Sequence, residues 1–507
     1  MDMNPRGDVC QLCDELPTRR TLDLETVLVA GASGYIGGRL VPELVARGYR
    51  VRVMVRSKVE ALSDRWLNCE VVVADALNPN SLMISMEGVH TVFYLIHSML
   101  VGPKSFAETD RSAARCVRES AEQQQVKRII YLGGLGDKQD RLSPHLSSRM
   151  AVADELALGS VPVTFLRAAI ILGSGSASYE MMNHLIRRLW VLPVPSWAKT
   201  RCQPIGLRDV IKILVGVLEV PETAGKIFDI GGPDILSYED LLKTHSEVLG
   251  RRRYFISSPL SSIRFFAMMT SWLTPVPAPI TRCLMESVEH DVVCEGRDIL
   301  EVLPFRRISC REALVLALSR EEQDAVHSRW TDSYPPDHEL AIKLSELSEA
   351  PTYTSTYSLV TEKSAEALFE SISFIGGEQG WFNSTPLWRL RGMIDRMLQG
   401  VGTRRGRRSP TQLRVNDVVD FWRVEQVKKP SRLLLRAEMK LPGRAWLEFR
   451  VEPEEELQRL SVHASYYTKG FGGRLYWYVF LPFHHFIFGD LICGIEKRSE
   501  EQADGCV

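Results

Sequence analysis

A glycine-spaced turn between a strand and a helix constrains this chain more than any other feature. The run TVLVA (26–30) is apolar and rich in β-branched residues, and Gly31-Ala32-Ser33-Gly34-Tyr35-Ile36-Gly37 follows it directly. An amphipathic stretch then runs to about Arg47. Gly31 allows the tight turn, Gly34 lets a ligand approach the backbone, and Gly37 lets the helix pack closely on the sheet. In that context the free N–H groups of the helix start, with its dipole, form a phosphate site. The spacing implies a dinucleotide whose pyrophosphate lies against Gly31, Ser33, Gly34, Tyr35, Ile36 and Gly37.

The next 140 or so residues make coincidence a poor explanation. RVRVMVR, CEVVVADAL, TVFYLIH, KRIIYLGG and PVTFLRAAII are further strand-like runs, and helical segments such as Ser105–Gln125 and His145–Leu158 separate most of them. Continuous apolar strands alternating with helices signify a parallel sheet covered on both faces. The fold class expected is α/β: a Rossmann doubly wound parallel sheet with a small helical substrate lobe. The lobe occupies residues from about 200 to 330, where the strand IFDIGG precedes a capped helix at Ser237 and several further helices. After a composition shift, YTSTYSLV, SAEALFESISF, four alternating strands and a long aromatic helix (about 471–496) spell a C-terminal α+β helix-grip domain. The expected division is a tail at 1–25, the nucleotide-binding domain at 26–330, a linker at 331–351, the helix-grip domain at 352–498 and a tail at 499–507.

Ends of strands in such a sheet line the ligand crevice. Enzymes that use NAD place an acid at the end of the second strand, to bind the ribose 2′-hydroxyl. Here Arg56 and Ser57 stand there. A guanidinium suits a 2′-phosphate, so NADP(H) is preferred, with NAD(H) as the alternative. Asp75 and Ala76 end the third strand, where a carboxylate accepts from the adenine amino group or else caps a turn. His97 and Ser98 follow the fourth. Arg167, in the sixth, faces either the nicotinamide or a core acid. Tyr179, Met181 and Met182 fall where substrate-lining residues belong.

Together GASGYIGGRL, VRVMVRS, VADAL, FYLIHSM and KRIIYLGGLG resemble the atypical short-chain dehydrogenase/reductase superfamily, nearest its NmrA-like NAD(P)H-binding branch. The likeness covers roughly residues 25–325. GWFNSTPLWRLRGMID, RRGRR and DVVDFWRVE resemble an uncharacterised domain fused to some of these reductases, itself similar to the helix-grip lipid- and small-ligand-binding superfamily. The resemblance implies a cytosolic NADP-binding oxidoreductase-like protein with an appended ligand-binding module. It also implies an active-site Ser before Tyr-x-x-x-Lys, and that pattern fails. Gly133 or Gly134 replaces the serine, and His145 and Arg149 hold the Tyr and Lys places. The i,i+4 spacing keeps both on one helix face. His145 is a candidate acid, His97 a second one, and Arg149 a candidate ribose ligand.

A formal net charge of −1 argues against a general nucleic-acid partner. Ten scattered cysteines fit a reduced, cytoplasmic setting, and only Cys10 and Cys13 form a C-x-x-C, in what reads as a tail. Metal-ligand spacing is absent, and the polar first 25 residues hold no signal peptide. The run LYWYVFLPFHHFIFG (475–489) is shorter than the roughly 20 apolar residues of a spanning helix. It reads as a buried helix, or as one that makes peripheral membrane contact. The basic run Arg404-Arg405-Gly406-Arg407-Arg408 is a solvated loop or a contact for anionic groups. The C-terminal aromatics form a core or enclose an apolar ligand.

Three functions stay open. The first is an NADPH-dependent reductase of a lipophilic carbonyl or enone, a small-molecule partner. The second is a redox sensor or scaffold that binds NADP(H) without turnover. The third, a sugar-nucleotide epimerase, is disfavoured by the missing tyrosine.

Overall fold

The computed structural model describes residues 12–20, 26–56, 66–96, 106–136, 143–319, 330, 343–347, 349–377, 379–398, 400–403, 407, 409 and 412–504. The chain divides into two compact units, Met1–Pro335 and Pro336–Val507.

In the first unit seven parallel strands form one sheet: β1 (Thr26–Ala30), β2 (Arg50–Val55), β3 (Glu70–Val73), β4 (Val89–Tyr94), β5 (Arg128–Gly134), β6 (Val163–Ala168) and β11 (Ile227–Ile230). Their order, β11-β6-β5-β4-β1-β2-β3, reverses between β1 and β4. That reversal opens a crevice at the carboxyl ends of the strands. Period-two alternation feeds two cores. Val27, Val29 and Val53 enter one with Leu40 and Leu44 of α1 (Gly37–Ala46), while Leu28, Ala30 and Met54 enter the other. The first core is closed by α6 (Leu207–Glu219), the second by α2 (Pro79–Met86), α3 (Phe106–Gln123) and α4 (Pro144–Ala157). Burial of each Leu or Val on these faces stabilises the unit by about 1.5–3 kcal/mol.

The strand IFDIGG corrects an expectation. It belongs to the main sheet as β11, with Asp229 beside Arg167 of β6, and not to the lobe. An apolar run of four residues carries no record of its partner.

The lobe itself contains α5 (Ala177–Arg188), α7 (Tyr238–Val248), α8 (Ile263–Leu273), α9 (Ala278–Glu286) and α10 (Cys310–Leu318). Two-residue strands β7 (Ile171–Leu172) and β10 (Ile205–Gly206) pair, as do β9 (Arg201–Cys202) and β12 (Leu236–Ser237). A parallel ribbon joins β8 (Val191–Val194) to β13 (Tyr254–Ser257).

The N-terminal tail is partly folded. Leu12–Glu15 forms a short 3-10 helix, and the N–H groups of Leu12 and Cys13 donate to buried Glu43. Thr18 and Arg47 both donate to Glu219 of α6. Cys13 is therefore a core residue, and burial together with Glu43 pushes its thiol far up. That is no environment for a reactive or metal-bound thiolate. Cys10 lies outside the described residues.

The second unit is an antiparallel sheet of β14 (Tyr353–Thr361), β15 (Val418–Val419), β16 (Trp422–Lys428), β17 (Arg432–Ala437), β18 (Arg444–Glu454) and β19 (Leu457–Tyr467), ordered β14-β19-β18-β17-β16-β15. Its helices are α11 (Ala365–Ser373), α12 (Thr385–Met397) and α13 (Phe471–Asp504). The expected linker is not all linker: the Leu344 N–H donates to Glu425, and Leu344 and Leu347 pack against Trp446. The expected tail at 499 is also corrected, since α13 continues to Asp504. Phe488, Leu491, Ile492 and Ile495 dock the second half of α13 into the core. Its first half turns Tyr478, Val479, Phe483 and Phe486 outward. By length and composition, Phe471–Ser499 is apolar enough to cross a membrane, a longer reach than the 475–489 run suggests.

The C-terminal aromatics largely pack on one another. Trp381, Trp388, Phe421 and Trp422 form a contiguous cluster, and the Trp381 indole donates to Asp420. Arg407 is no phosphate ligand, because its guanidinium donates to the carbonyls of Ser373 and Ile375. Its neighbours Arg404, Arg405 and Arg408 lie outside the described residues.

Candidate nucleotide and substrate site

At the crevice, backbone meets backbone with no room for side chains. Gly31 has φ +95°, and a Cβ there would sit 2.8 Å from the Leu95 carbonyl carbon and oxygen. A Cβ on Gly37 would sit 2.3 Å from the Gly31 carbonyl oxygen. The Gly34 N–H closes the turn on that same oxygen at 3.0 Å. No side chain caps the start of α1, where Ile36 holds the N-cap position. The Gly38 and Arg39 N–H groups donate to the Gly34 and Ile36 carbonyls, so what this helix start offers an anion is the positive end of its dipole and the backbone of the turn before it. Arg39 stacks over the Tyr35 ring, 4.7 Å from its centroid, and donates to the Ser174 carbonyl, which fixes the ring at the edge of the turn.

A cavity of about 390 Å³ runs from this turn into the helical lobe. Gly31, Gly34, Tyr35, Ile36 and Gly37 line its sheet end, His145 and Arg149 its middle, and Met181, Met182, Trp197 and Phe266 its lobe end. Ser33 is half-buried in the turn but does not line the cavity. Arg56, exposed at the end of β2, and Asp75 and Ala76, after β3, also lie outside its walls. The Asp75 carboxylate accepts the Leu77 N–H at 2.9 Å, so it serves as a turn cap. Ser57 and His97 lie outside the described residues.

Chemistry near the middle of the cavity follows from packing. Ser143 caps α4 by accepting the Leu146 N–H, and Pro144 opens its first turn. One turn further along α4, Arg149 is buried at 8% exposure and donates to the Ile96 carbonyl at 3.5 Å. Its own carbonyl accepts from the Tyr131 hydroxyl. Arg149 is the only charged side chain among the described lining residues. His145 keeps an enclosed Nδ1 with no hydrogen-bond partner among the described residues. Burial first, and the Arg149 cation second, pull its imidazole down to about 3. It is therefore neutral at neutral pH. The strand end that would carry a serine is packed down to Cα: a Cβ on Gly133 would meet the Phe165 ring at 2.6 Å, and one on Gly134 the Leu146 side chain at 2.7 Å.

Other candidates fall away from the cavity. Arg167 donates to Asp229 at 2.6 Å, and Asp229 also accepts the Gly296 N–H. It is a paired structural arginine and not a substrate ligand. Tyr179 is buried edge-on against His245, 5.4 Å between centroids, and does not line the cavity; Met181 and Met182 do. Trp197, Phe266, Met269 and Trp330 complete the lobe end, and no local sequence pattern marks them for it. Among the described residues, no group of His, Cys, Asp and Glu is placed to hold a metal ion.

Residues 31–167 match the family described as NAD(P)H-binding, and residues 347–491 match a family described as a protein of unknown function. A photosystem II assembly factor of Trieres chinensis is 20% identical over 48% of this chain and 75% of its own length. Subunit 9 of the NADH dehydrogenase alpha subcomplex of Arabidopsis thaliana is 23% identical over 50% of this chain and 66% of its own length. A ceramide reductase of Caulobacter vibrioides is 26% identical over 50% and 80%. Among solved structures, a Citrobacter sp. triphenylmethane reductase complexed with NADP(H) is 20% identical, covering 58% of this chain and 100% of its own, with TM-score 0.47. The N-terminal unit has a Rossmann-type α/β fold, and residues 31–167 within it match the NAD(P)H-binding family.

Proposed function

We propose that this protein is an NADPH-dependent reductase of a lipophilic carbonyl or enone. The observation that carries the proposal is the continuity of the 390 Å³ cavity. It joins the glycine turn to an apolar lobe and holds one buried cation between them.

The residues present fit a nicotinamide dinucleotide. Gly31 and Gly37 leave a cradle that a Cβ would fill, and the uncapped start of α1 suits the pyrophosphate. Arg56 favours the 2′-phosphate form. When bound, such a cofactor supplies hydride to an electron-poor carbon. The chain must then stabilise the oxygen that gains charge and receives a proton. A neutral His145 is a poor acid, whereas Arg149 places a guanidinium in the middle of the cavity. A fixed cation in an apolar cavity stabilises a developing oxyanion strongly, because little water screens it. In this reading Arg149 holds the oxyanion, His145 donates at most a hydrogen bond, and water delivers the proton. The apolar walls select a lipophilic substrate and reject a sugar nucleotide, whose hydroxyls and phosphates would go unpaired. The C-terminal unit is read as a helix-grip module that handles an apolar ligand, with the outward half of α13 as its surface for apolar or membrane contact.

The test is loss of reduced-nicotinamide absorbance with a panel of quinones, enones and long-chain ketones. Consumption that falls about 10²–10³-fold in Arg149→Gln, but less than about tenfold in His145→Gln, supports the assignment. Tight NADPH binding with no consumption on any member of the panel refutes it and favours the sensor.

A further inference from the structure

The wall that closes the lobe end of the cavity is apolar on both faces. In β8, buried Leu192 and Val194 line the cavity, while Val191 and Pro193, which alternate with them, are exposed. Paired with it, β13 exposes Tyr254 and Ile256 opposite those same two positions. In α8, Phe266, Met269 and Thr270 line the cavity, while Phe265, Met268 and Trp272 stand in solvent. Trp190, at the end of α5, is 72% exposed. A helix that is apolar all round belongs in an apolar medium, and a ribbon with one wet face should alternate apolar with polar residues. Neither rule is met here.

The stretches that carry this patch are basic. Residues 181–208 and 248–285 together contain ten Lys and Arg and no Asp or Glu, with Glu180, Asp209, Glu247 and Glu286 at their bounds. Arg201 and Arg282 pair with Asp291 and Glu286. Arg187, Arg188, Arg251, Arg252, Arg253 and Arg264 are distributed over the elements that carry the apolar residues. Arg253 lies over the Trp190 ring at 5.2 Å and donates to the Ile186 carbonyl. Arg188 donates to the Leu273 carbonyl, beside Trp272. Arg251 donates to the Arg187 carbonyl. These bonds join α5, β13 and α8 into one rim of aromatic and aliphatic tips with cationic shoulders.

We infer that this rim docks on an anionic lipid bilayer and passes the substrate from the acyl phase into the cavity. Apolar tips enter the acyl boundary while the arginines meet the headgroups. A single layer of side chains separates the bilayer from the cavity, and Pro193 both lines the cavity and reaches the surface. A lipophilic substrate then never crosses water. The delivery step rests on the reductase reading; the docking itself does not.

The test is co-sedimentation of the full chain with phosphatidylcholine vesicles, with and without phosphatidylglycerol. Binding is expected with phosphatidylglycerol and should weaken as salt rises. Arg252→Gln with Arg264→Gln should lower partitioning about thirtyfold. Phe265→Ser with Trp272→Ser should lower it by at least about tenfold, with thermal melting showing that each variant is folded. Failure to bind either vesicle, or equal binding by the unaltered protein and both variants, overturns the inference. So does a dimer that dissociates in the Phe265/Trp272 variant, if vesicles bind none of the proteins. Turnover of a water-soluble enone without vesicle binding removes the docking surface alone. Vesicle binding without any turnover removes the reductase reading alone.

Discussion

Replacing Gly37 by Ala tests the glycine turn where the backbone is tightest. The added Cβ would lie 2.3 Å from the Gly31 oxygen, 2.8 Å from the Ala32 Cα and 2.9 Å from the Gly31 carbonyl carbon. Carbon and oxygen in non-bonded contact need about 3.3 Å, so α1 must withdraw from the turn by about 1 Å. All three neighbours are backbone atoms, and no side chain can rotate away. Overpacking of this kind costs about 1–3 kcal/mol, and in a unit of this size Tm should fall by about 2–6 °C. The larger effect falls on the ligand. Withdrawal of α1 misaligns its positive end with the backbone of the turn, and loss of one charge-assisted hydrogen bond costs about 1.5–3 kcal/mol, tenfold or more in Kd. Fluorescence titration with NADPH and thermal melting read the two effects separately. Gly489→Ala is the control, because its Cβ meets nothing within 4 Å in α13, and a small gain of about 0.5–1 kcal/mol is expected. A Gly37→Ala protein that binds NADPH within about twofold of the original and melts within about a degree of it would refute the reasoning.

Three further outcomes rest on buried charge. His245 is fully buried edge-on to Tyr179, and burial lowers its imidazole to about 4. A base whose folded pKa is depressed destabilises the fold on protonation, so stability should drop as pH falls from about 6.5 to 4, by up to about 3 kcal/mol. His245→Phe should flatten that acid limb in urea melts, and an unchanged limb would assign it to other groups. The rate of substrate reduction should stay flat between about pH 6 and 8, because His145 is already neutral and an arginine does not titrate there; a break near 6.5 in kcat/KM would return the proton donor to a histidine. In the second unit, Arg423 and Glu438 form an ion pair exposed by only 2% and 0%. Glu438→Gln strands the cation and should cost about 3–5 kcal/mol in denaturant unfolding, whereas a loss below about 1 kcal/mol would mean that water reaches the pair.

Much of this fold was written in local pattern. The apolar runs located β1 to β6; in the central strands side chains of one character run throughout because both faces are covered, while the edge strand β3 is only partly buried. The glycine spacing located the turn because only residues without a Cβ survive at 2.3–2.8 Å from backbone. The helix expected over His145–Leu158 is found as α4, which starts one residue earlier at Pro144 under a Ser143 cap. The choice between a buried helix and a membrane-contacting one was not legible in α13, because helical periodicity does not say which half docks and which faces outward.

What the sequence by itself determined, then, is the Rossmann domain and the nucleotide loop, both set by short-range sterics and by periodicity. Tertiary structure alone decided the rest, because it depends on which distant groups meet. Arg167 became structural when β11 brought Asp229 beside it. Asp75 was consumed by its own turn, and burial made His145 neutral. The cavity and its rim exist only because β8 and α8, far apart in the chain, each present apolar residues both inward to a ligand and outward to the surface.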